Sequence, residues 1–120
     1  MNEYINPSED EKIIFVNIKN SYNCKDRSSE LYRPSLYEAT RKYWRLSLAK
    51  AQKATLLIGH VNGIVKEVIR PTNCYKSKEL RYTQRVEFEG EEVFDSIFIG
   101  KSITNKVKIG QNPVNYLNIE

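Results

Sequence analysis

The sequence is poor in the side chains that build metal sites and nucleophilic catalytic sites. It contains one histidine, His60, and two cysteines, Cys24 and Cys74, which are far apart along the chain. A structural zinc site takes about four closely spaced ligands, so neither a metal ion nor another cofactor is expected. A single imidazole also leaves no Ser/His/Asp or Cys/His arrangement that spacing alone can place. No catalytic residue is identified, and the sequence favours a protein that is not an enzyme.

Long hydrophobic runs are also missing. No apolar stretch approaches the length of about 18 residues from which a membrane-spanning helix is inferred. Residues 1–12 are polar and acidic, so a signal peptide is not expected there. Two cysteines without a disulfide framework are typical of reduced thiols in a cytoplasmic protein. These absences predict a cytoplasmic protein with no membrane partner.

The charge of the chain is unevenly distributed. The sequence has 120 residues, a formal net charge of +4, 28% charged residues and 40% hydrophobic residues, which fits one globular domain. Lysine and arginine concentrate in residues 33–53, 66–85 and 101–108, whereas aspartate and glutamate concentrate in residues 3–11 and 87–95. Such asymmetry allows one face of the fold to attract phosphate groups.

A capped helix followed by a tight hairpin is predicted in the middle of the chain. Ser35 and Glu38 have the Ser-x-x-Glu spacing of a capping box. No glycine or proline interrupts residues 36–53, and apolar residues recur there at helical spacing, so one long helix is predicted over this range. Asn62-Gly63 lies between two aliphatic runs and predicts a type I′ hairpin turn, because both residues tolerate a positive φ.

Short apolar segments separated by turn residues predict the strands. These segments lie at residues 13–18, 56–61, 64–69, 81–88, 96–99 and 114–119. Their succession favours an α+β fold in which a small, strongly bent, mostly antiparallel sheet closes into a β-barrel. The helix over about 36–53 is expected to pack on this barrel. Residues 1–11 are expected to form a mobile arm, and residues 12–120 a single domain.

Several motifs resemble those of a bacterial domain that occurs alone or behind a GIY-YIG nuclease domain. They are Tyr37-Glu38-Ala39-Thr40-Arg41, Trp44-Arg45-Leu46, Gly63-Ile64-Val65-Lys66-Glu67-Val68, Gly100-Lys101-Ser102 and Gln111-Asn112-Pro113. The order of the predicted elements also resembles that of PUA-like domains such as the EVE and ASCH groups. The first resemblance implies a part in nucleic-acid processing. The second implies that a base or an RNA is bound in a pocket between the helix and the barrel.

Three positions on the predicted helix are candidates for binding phosphate and base. Arg41 and Arg45 are four residues apart, so both guanidinium groups are expected on one helix face, where they can hold a phosphate. Trp44 can offer its indole plane to a base. The alternative is that Trp44 fills the core and that the arginines are solvated or paired with Glu38 and Asp95.

A further anion-binding position is predicted at Lys101 and Ser102, which follow Gly100 beside a strand end. An ATP-binding P-loop is not expected, because Asp95 occupies the position of the earlier glycine that such a loop requires. The alternative is a turn that carries a surface lysine.

Amide side chains can recognise the edge of a base through their paired donor and acceptor groups. The candidates for this role are Gln111, Asn112 and Asn17. For Asn112, which precedes a proline, a plain turn-forming role is the alternative.

The function predicted from these features is non-catalytic recognition of a nucleic acid or a nucleotide. Arg41, Trp44 and Lys101 are expected to line one electropositive hollow. The first alternative is a small protein–protein interaction or inhibitor module of a phage or mobile element, with the acidic residues 87–95 meeting a basic partner. The second is a hydrolase or transferase, although no base–nucleophile pair can be named for it.

Overall fold

The computed structural model describes residues 3–119, which form five strands, three short helices and one 3₁₀ turn. The strands are β1 (Ile13–Asn17), β2 (Leu56–Val61), β3 (Ile64–Lys76), β4 (Val86–Glu92) and β5 (Val114–Leu117). The helices are α1 (Lys19–Tyr22), α2 (Leu36–Arg41) and α3 (Leu48–Ala51), and the 3₁₀ turn is Leu80–Tyr82. The fold is α+β, as predicted. No helix in the described range has the length and apolar character needed to cross a membrane.

The strands form one mixed sheet in the order β4-β3-β2-β1-β5. β1 runs parallel to β2, and the other neighbouring strands are antiparallel. The predicted closure into a barrel is wrong, because β4 and β5 form two separate edges of an open sheet. Residues 96–99, which the sequence predicts as a strand, form turns instead and add no strand that could bridge those edges.

Side chains of β1 alternate between the two faces of the sheet and begin two separate cores. Ile14 and Val16 pack on the first face, which α2 and α3 cover. Ile13 and Phe15 pack on the second face, where apolar side chains from residues 93–109 cover them. Because successive strand residues point to opposite sides, an entirely apolar β1 needs cover on both faces. Two covered faces bury these side chains without closure of the sheet.

The segment before β1 lies against the second face. Ile5 is only 1% exposed, and its backbone N–H donates to the carbonyl oxygen of Ser102 at 3.0 Å. For residues 3–11, this docking corrects the prediction of a mobile arm, because the apolar Ile5 side chain has a core site to fill. Residues 1 and 2 lie outside the described residues.

The hairpin predicted at Asn62 and Gly63 is confirmed. β2 and β3 pair antiparallel on either side of these residues, whose φ angles are 48° and 101°. The Asn17 side chain at the end of β1 donates from Nδ2 to Oδ1 of Asn62 at 3.2 Å. The end of β1 and the hairpin turn are therefore fixed at one place.

The long helix predicted over residues 36–53 is wrong, because the segment forms two short helices. The predicted cap of the first is confirmed, since Oγ of Ser35 accepts a hydrogen bond from the backbone N–H of Glu38 at 3.1 Å. A second cap begins α3, where Oγ of Ser47 accepts from the backbone N–H of Lys50 at 3.4 Å.

The break between the helices results from a contact with the edge of the sheet. Lys42 has extended backbone angles, with φ −159° and ψ 160°. Trp44 then pairs with Val86 of β4, and the two backbone N–H···O bonds measure 3.1 and 2.8 Å. Pairing with a strand edge satisfies backbone groups that a longer helix would satisfy internally. Tertiary context thus overrides the helical pattern here.

Candidate functional site

A cleft of about 360 Å³ opens beside the end of β1. Its volume falls within the range of about 300–1,000 Å³ that is typical of small-molecule sites. The walls come from the end of β1, from α1, from the segment after α2, and from the residues just before β4 and β5. We call it the basic cleft, because its lining includes four cationic side chains: Arg33, Lys42, Arg45 and Arg85.

The half-buried indole of Trp44 forms part of the wall of the basic cleft. Its Nε1 donates to the backbone carbonyl of Thr40 at 2.8 Å, and part of the ring packs on the first-face core. The N–H is therefore satisfied within the protein, and the orientation of the ring is fixed. The remaining surface of the ring is available for stacking.

Arg33 is fixed by backbone carbonyl groups. Its Nη1 donates to the carbonyl oxygens of Glu30 and Tyr32 at 2.6 and 2.7 Å. Its Nε is buried and has no acceptor within residues 3–119. Its Nη2 forms no hydrogen bond within residues 3–119 and is the donor that a ligand in the cleft can meet.

Two tyrosines hold further cations around the cleft. The rings of Tyr43 and Tyr82 stack with centroids 4.2 Å apart and an interplanar angle of 20°. Lys42 Nζ lies 5.1 Å from the Tyr43 centroid, and Arg85 Cζ lies 5.2 Å from the Tyr82 centroid. Arg85 also donates to the backbone carbonyl of Tyr43 at 3.4 Å. Cation–π contacts position these side chains without cancelling their charge.

The lining of the basic cleft contains no carboxylate within the described part of the chain. One of its cations is paired, since Lys42 Nζ lies 3.0 Å from Oε1 of Glu38. Burial opposes ionisation, but the hydrogen bond and charge of Glu38 raise the pKa of Lys42. Arg45 is exposed and forms no hydrogen bond or ion pair within residues 3–119. The cleft is therefore positively charged at neutral pH and attracts anions.

The basic cleft brings together half of the site residues predicted from the sequence: Asn17, Trp44, Arg45 and Asn112. Two of these have amide groups that already serve the fold. Oδ1 of Asn17 accepts from the backbone N–H of Asn62 at 3.3 Å. Oδ1 of Asn112 accepts from the backbone N–H of Val114 at 3.0 Å. This bond is the one expected if Asn112 serves to form the turn. Gln111 is exposed and lies outside the lining.

Arg41 does not reach the basic cleft. Its side chain is 10% exposed and runs along the outer edge of β4. Nε donates to the carbonyl oxygen of Phe88 at 2.8 Å, while the guanidinium nitrogens lie 3.2 Å from Glu38 and 3.3 Å from Glu87. The predicted contribution of Arg41 to a shared hollow is wrong, because these groups already satisfy its charge and several of its donors.

Lys101 and Ser102 lie on the other side of the sheet from α2. Ser102 pairs with Ile64 as an isolated bridge, and the next residue, Ile103, is buried in the second-face core. Lys101 Nζ lies 3.5 Å from a carboxylate oxygen of Glu3. The prediction that Lys101 and Ser102 join Trp44 in one hollow is therefore wrong.

Three cations of the cleft were not singled out from the sequence: Arg33, Lys42 and Arg85. Their only signal was membership of the basic runs at residues 33–53 and 66–85. Charge density along the chain identified the segments but not the side chains that converge, because convergence depends on the tertiary fold.

The imidazole of His60 does not line the basic cleft. It is 1% exposed, and its Nδ1 accepts from the backbone N–H of Gly63 at 3.0 Å. Burial lowers the pKa of His60 to about 4, so the ring is neutral at neutral pH. Among the residues that the structure describes, no group of three or more His, Cys, Asp or Glu side chains is placed to hold a metal ion. The chemistry that the cleft offers is charge and stacking.

Comparison of the chain with protein-family models, with curated proteins and with solved structures gives no match. The resemblance to a domain associated with GIY-YIG nucleases, and the likeness to PUA-like domains, therefore stay predictions. Function is inferred from the geometry of the basic cleft.

Proposed function

We propose that the protein binds a nucleic acid or a nucleotide in the basic cleft, without catalysing a reaction. The observation that supports this is the grouping of four cationic side chains around a half-buried tryptophan, with no acidic side chain among the described residues of the lining. Phosphate groups would contact Arg45 and Arg85, whose guanidinium planes suit phosphate oxygens. A base would stack on Trp44, a contact worth about 1–3 kcal/mol per base.

The contacts divide into those that give affinity and those that give selectivity. Contacts to phosphate release counterions, so the logarithm of affinity falls with the logarithm of salt concentration by about 0.7 per neutralised phosphate of a single strand. Amide groups distinguish one base from another. Asn20 lines the cleft, and its side chain has no hydrogen-bond partner in the described part of the chain. Asn20 is therefore the amide best placed to contact a base edge.

The experiment is an anisotropy titration of labelled single-stranded oligonucleotides, with unlabelled mononucleotides as competitors, at about 50 mM salt. Arg45→Ala and Arg85→Ala are each expected to weaken binding. Each should also reduce the slope of log affinity against log salt concentration by about 0.7. Lys106→Ala is the matched control, because Lys106 is exposed and does not line the cleft. Absence of binding, or equal losses in all three variants, contradicts the proposal.

A second candidate function is binding of a protein partner, and an exposed apolar turn favours it. Phe94 and Ile97 are 76% and 71% exposed, and they lie among acidic residues that include Glu91 and Asp95. Their chemistry suits a partner with an apolar pocket in a basic surface. A stoichiometric partner that is retained by Arg45→Ala but lost by Phe94→Asp with Ile97→Asp supports this candidate. Retention by both variants contradicts it.

A further inference from the structure

A second cavity, of about 400 Å³, adjoins the basic cleft. Ser21 and Arg33 line both spaces and form the wall between them. The rest of the second cavity comes mainly from the loop between α1 and α2, and we call it the loop cavity. Its lining includes two more cations and two tyrosines: Lys25, Arg27, Tyr22 and Tyr32.

The loop cavity is also lined by basic rather than acidic side chains. Lys25 and Arg27 are exposed and form no ion pair within residues 3–119. The carboxylate of Asp26, between them, accepts hydrogen bonds from Oγ and the backbone N–H of Ser28 at 2.7 and 3.0 Å. These bonds lower the pKa of Asp26. Glu30 pairs with an arginine of the 3₁₀ turn at 3.4 Å. Both nearby carboxylates thus have partners of their own.

Arg33 occupies the position where the two cavities meet. Two backbone carbonyl groups hold its Nη1, while Nη2 forms no hydrogen bond within residues 3–119. A fixed guanidinium with an unused donor suits a phosphate oxygen. At a wall shared by two cavities, it is placed for the phosphate that links two nucleosides rather than for one at a chain end.

We propose that the ligand is a single-stranded nucleic acid whose backbone runs through both cavities and crosses Arg33; this rests on the proposed function of the basic cleft. The base of one nucleotide stacks on Trp44. The base of a neighbouring nucleotide lies against Tyr22, which is 42% exposed, or against the half-buried Tyr32. A mononucleotide occupies the basic cleft only. A duplex keeps its bases stacked inside and offers no free base to either cavity.

The experiment compares ligands of increasing length on variants of each cavity. The probes are a nucleoside monophosphate, a dinucleotide, mixed-sequence single strands of about eight nucleotides as DNA and as RNA, and the corresponding duplexes. Lys25→Ala with Arg27→Ala tests the loop cavity, and Arg45→Ala tests the basic cleft. Lys106→Ala with Lys108→Ala is the control of equal charge, because both lysines are exposed and line neither cavity.

The single strand is expected to bind at least about tenfold more tightly than the mononucleotide, because the second contact becomes intramolecular. The loop-cavity variant is expected to weaken the single strand at least about fivefold and to leave mononucleotide affinity unchanged. If only Arg45→Ala weakens the single strand, the inference fails and the proposed function stands. Tighter binding of duplex than of single strand overturns the inference in the same way. If none of the probes binds, the proposed function fails, and the inference fails with it.

Discussion

The contact between α2 and the sheet at Gly59 of β2 provides a sharp test of how α2 packs on the sheet. A Cβ atom added at position 59 would meet Oγ1 of Thr40 first, and would lie 3.0 Å from its Cγ2 and 3.1 Å from its Cβ. Thr40 is fully buried and has no solvent to turn into. Overpacking of this kind costs about 1–3 kcal/mol. Alanine also lowers the conformational entropy of the unfolded chain, which stabilises the fold by about 0.4–1 kcal/mol. Gly59→Ala is therefore expected to lower the free energy of unfolding by about 1–2 kcal/mol.

Thr40→Ala is expected to rescue this loss when the two substitutions are combined. The Thr40 hydroxyl has no hydrogen-bond partner in the described chain, and its removal makes room for the methyl group added at position 59. The two changes should couple favourably by at least about 1 kcal/mol in a double-mutant cycle. Urea unfolding followed by the fluorescence of Trp44 measures all four free energies.

The control for this cycle is Gly110→Ala, because an added Cβ there meets no atom of residues 3–119 within 4 Å. Its effect on the free energy of unfolding is expected to stay within about 0.5 kcal/mol. The reasoning is refuted if Gly59→Ala is as harmless as Gly110→Ala, or if the effects of Gly59→Ala and Thr40→Ala simply add.

Two further predictions concern buried charge. Arg41→Met is expected to lower the free energy of unfolding by about 2–4 kcal/mol, because buried acceptors lose their donor. The control is Arg45→Met at an exposed position, which should change it by less than about 0.5 kcal/mol. Equal values for the two variants in urea unfolding contradict the structural role of Arg41. Burial, and then the hydrogen bond and charge of Glu92, raise the pKa of Glu67 to about 8 from its usual 4.5. The stability that Glu67 contributes is therefore fully present below pH 4.5 and is lost as the pH rises through about 8. Burial lowers the pKa of His60 from 6.5 to about 4, which removes stability as the pH falls through that range, so the Glu67 effect is isolated above pH 6.5. In urea unfolding, the free energy of unfolding should fall between pH 6.5 and 8, and Glu67→Gln should abolish this fall. A fall that persists in the variant contradicts the assignment of the effect to Glu67.

Features set by neighbouring residues could be predicted from the sequence. The Ser35 cap depends on a spacing of three residues, and the turn at Asn62-Gly63 depends on the backbone freedom of those two residues. The apolar run of β1 also identified a buried strand. Each of these features is decided within a few positions, where local sequence carries most of the information.

Features set by distant contacts could not be predicted in this way. Residues 36–53 carry a helical pattern, but Trp44 gains a backbone partner in Val86, which is 42 positions away. The open sheet follows from the cover that both faces receive, including that from Ile5. Neither contact leaves a signal in the periodicity of its own segment.

The candidate site shows the same division. Helical spacing predicts Arg41 and Arg45 on one face, but α2 ends at Arg41, so the spacing rule no longer applies at Arg45. Arg41 runs along the edge of β4, while Arg45 turns into the basic cleft. The basic run at residues 33–53 contains Arg33 and Lys42, which line the basic cleft.

The emission of Trp44 during addition of a single-stranded oligonucleotide tests the central proposal most directly, because this is the only tryptophan in the chain. Stacking of a base on the indole predicts saturable quenching, with a midpoint that rises steeply with salt. The midpoint should rise less steeply with salt in Arg45→Ala combined with Arg85→Ala. Unchanged emission while anisotropy reports full binding would place the ligand away from the basic cleft and contradict the account.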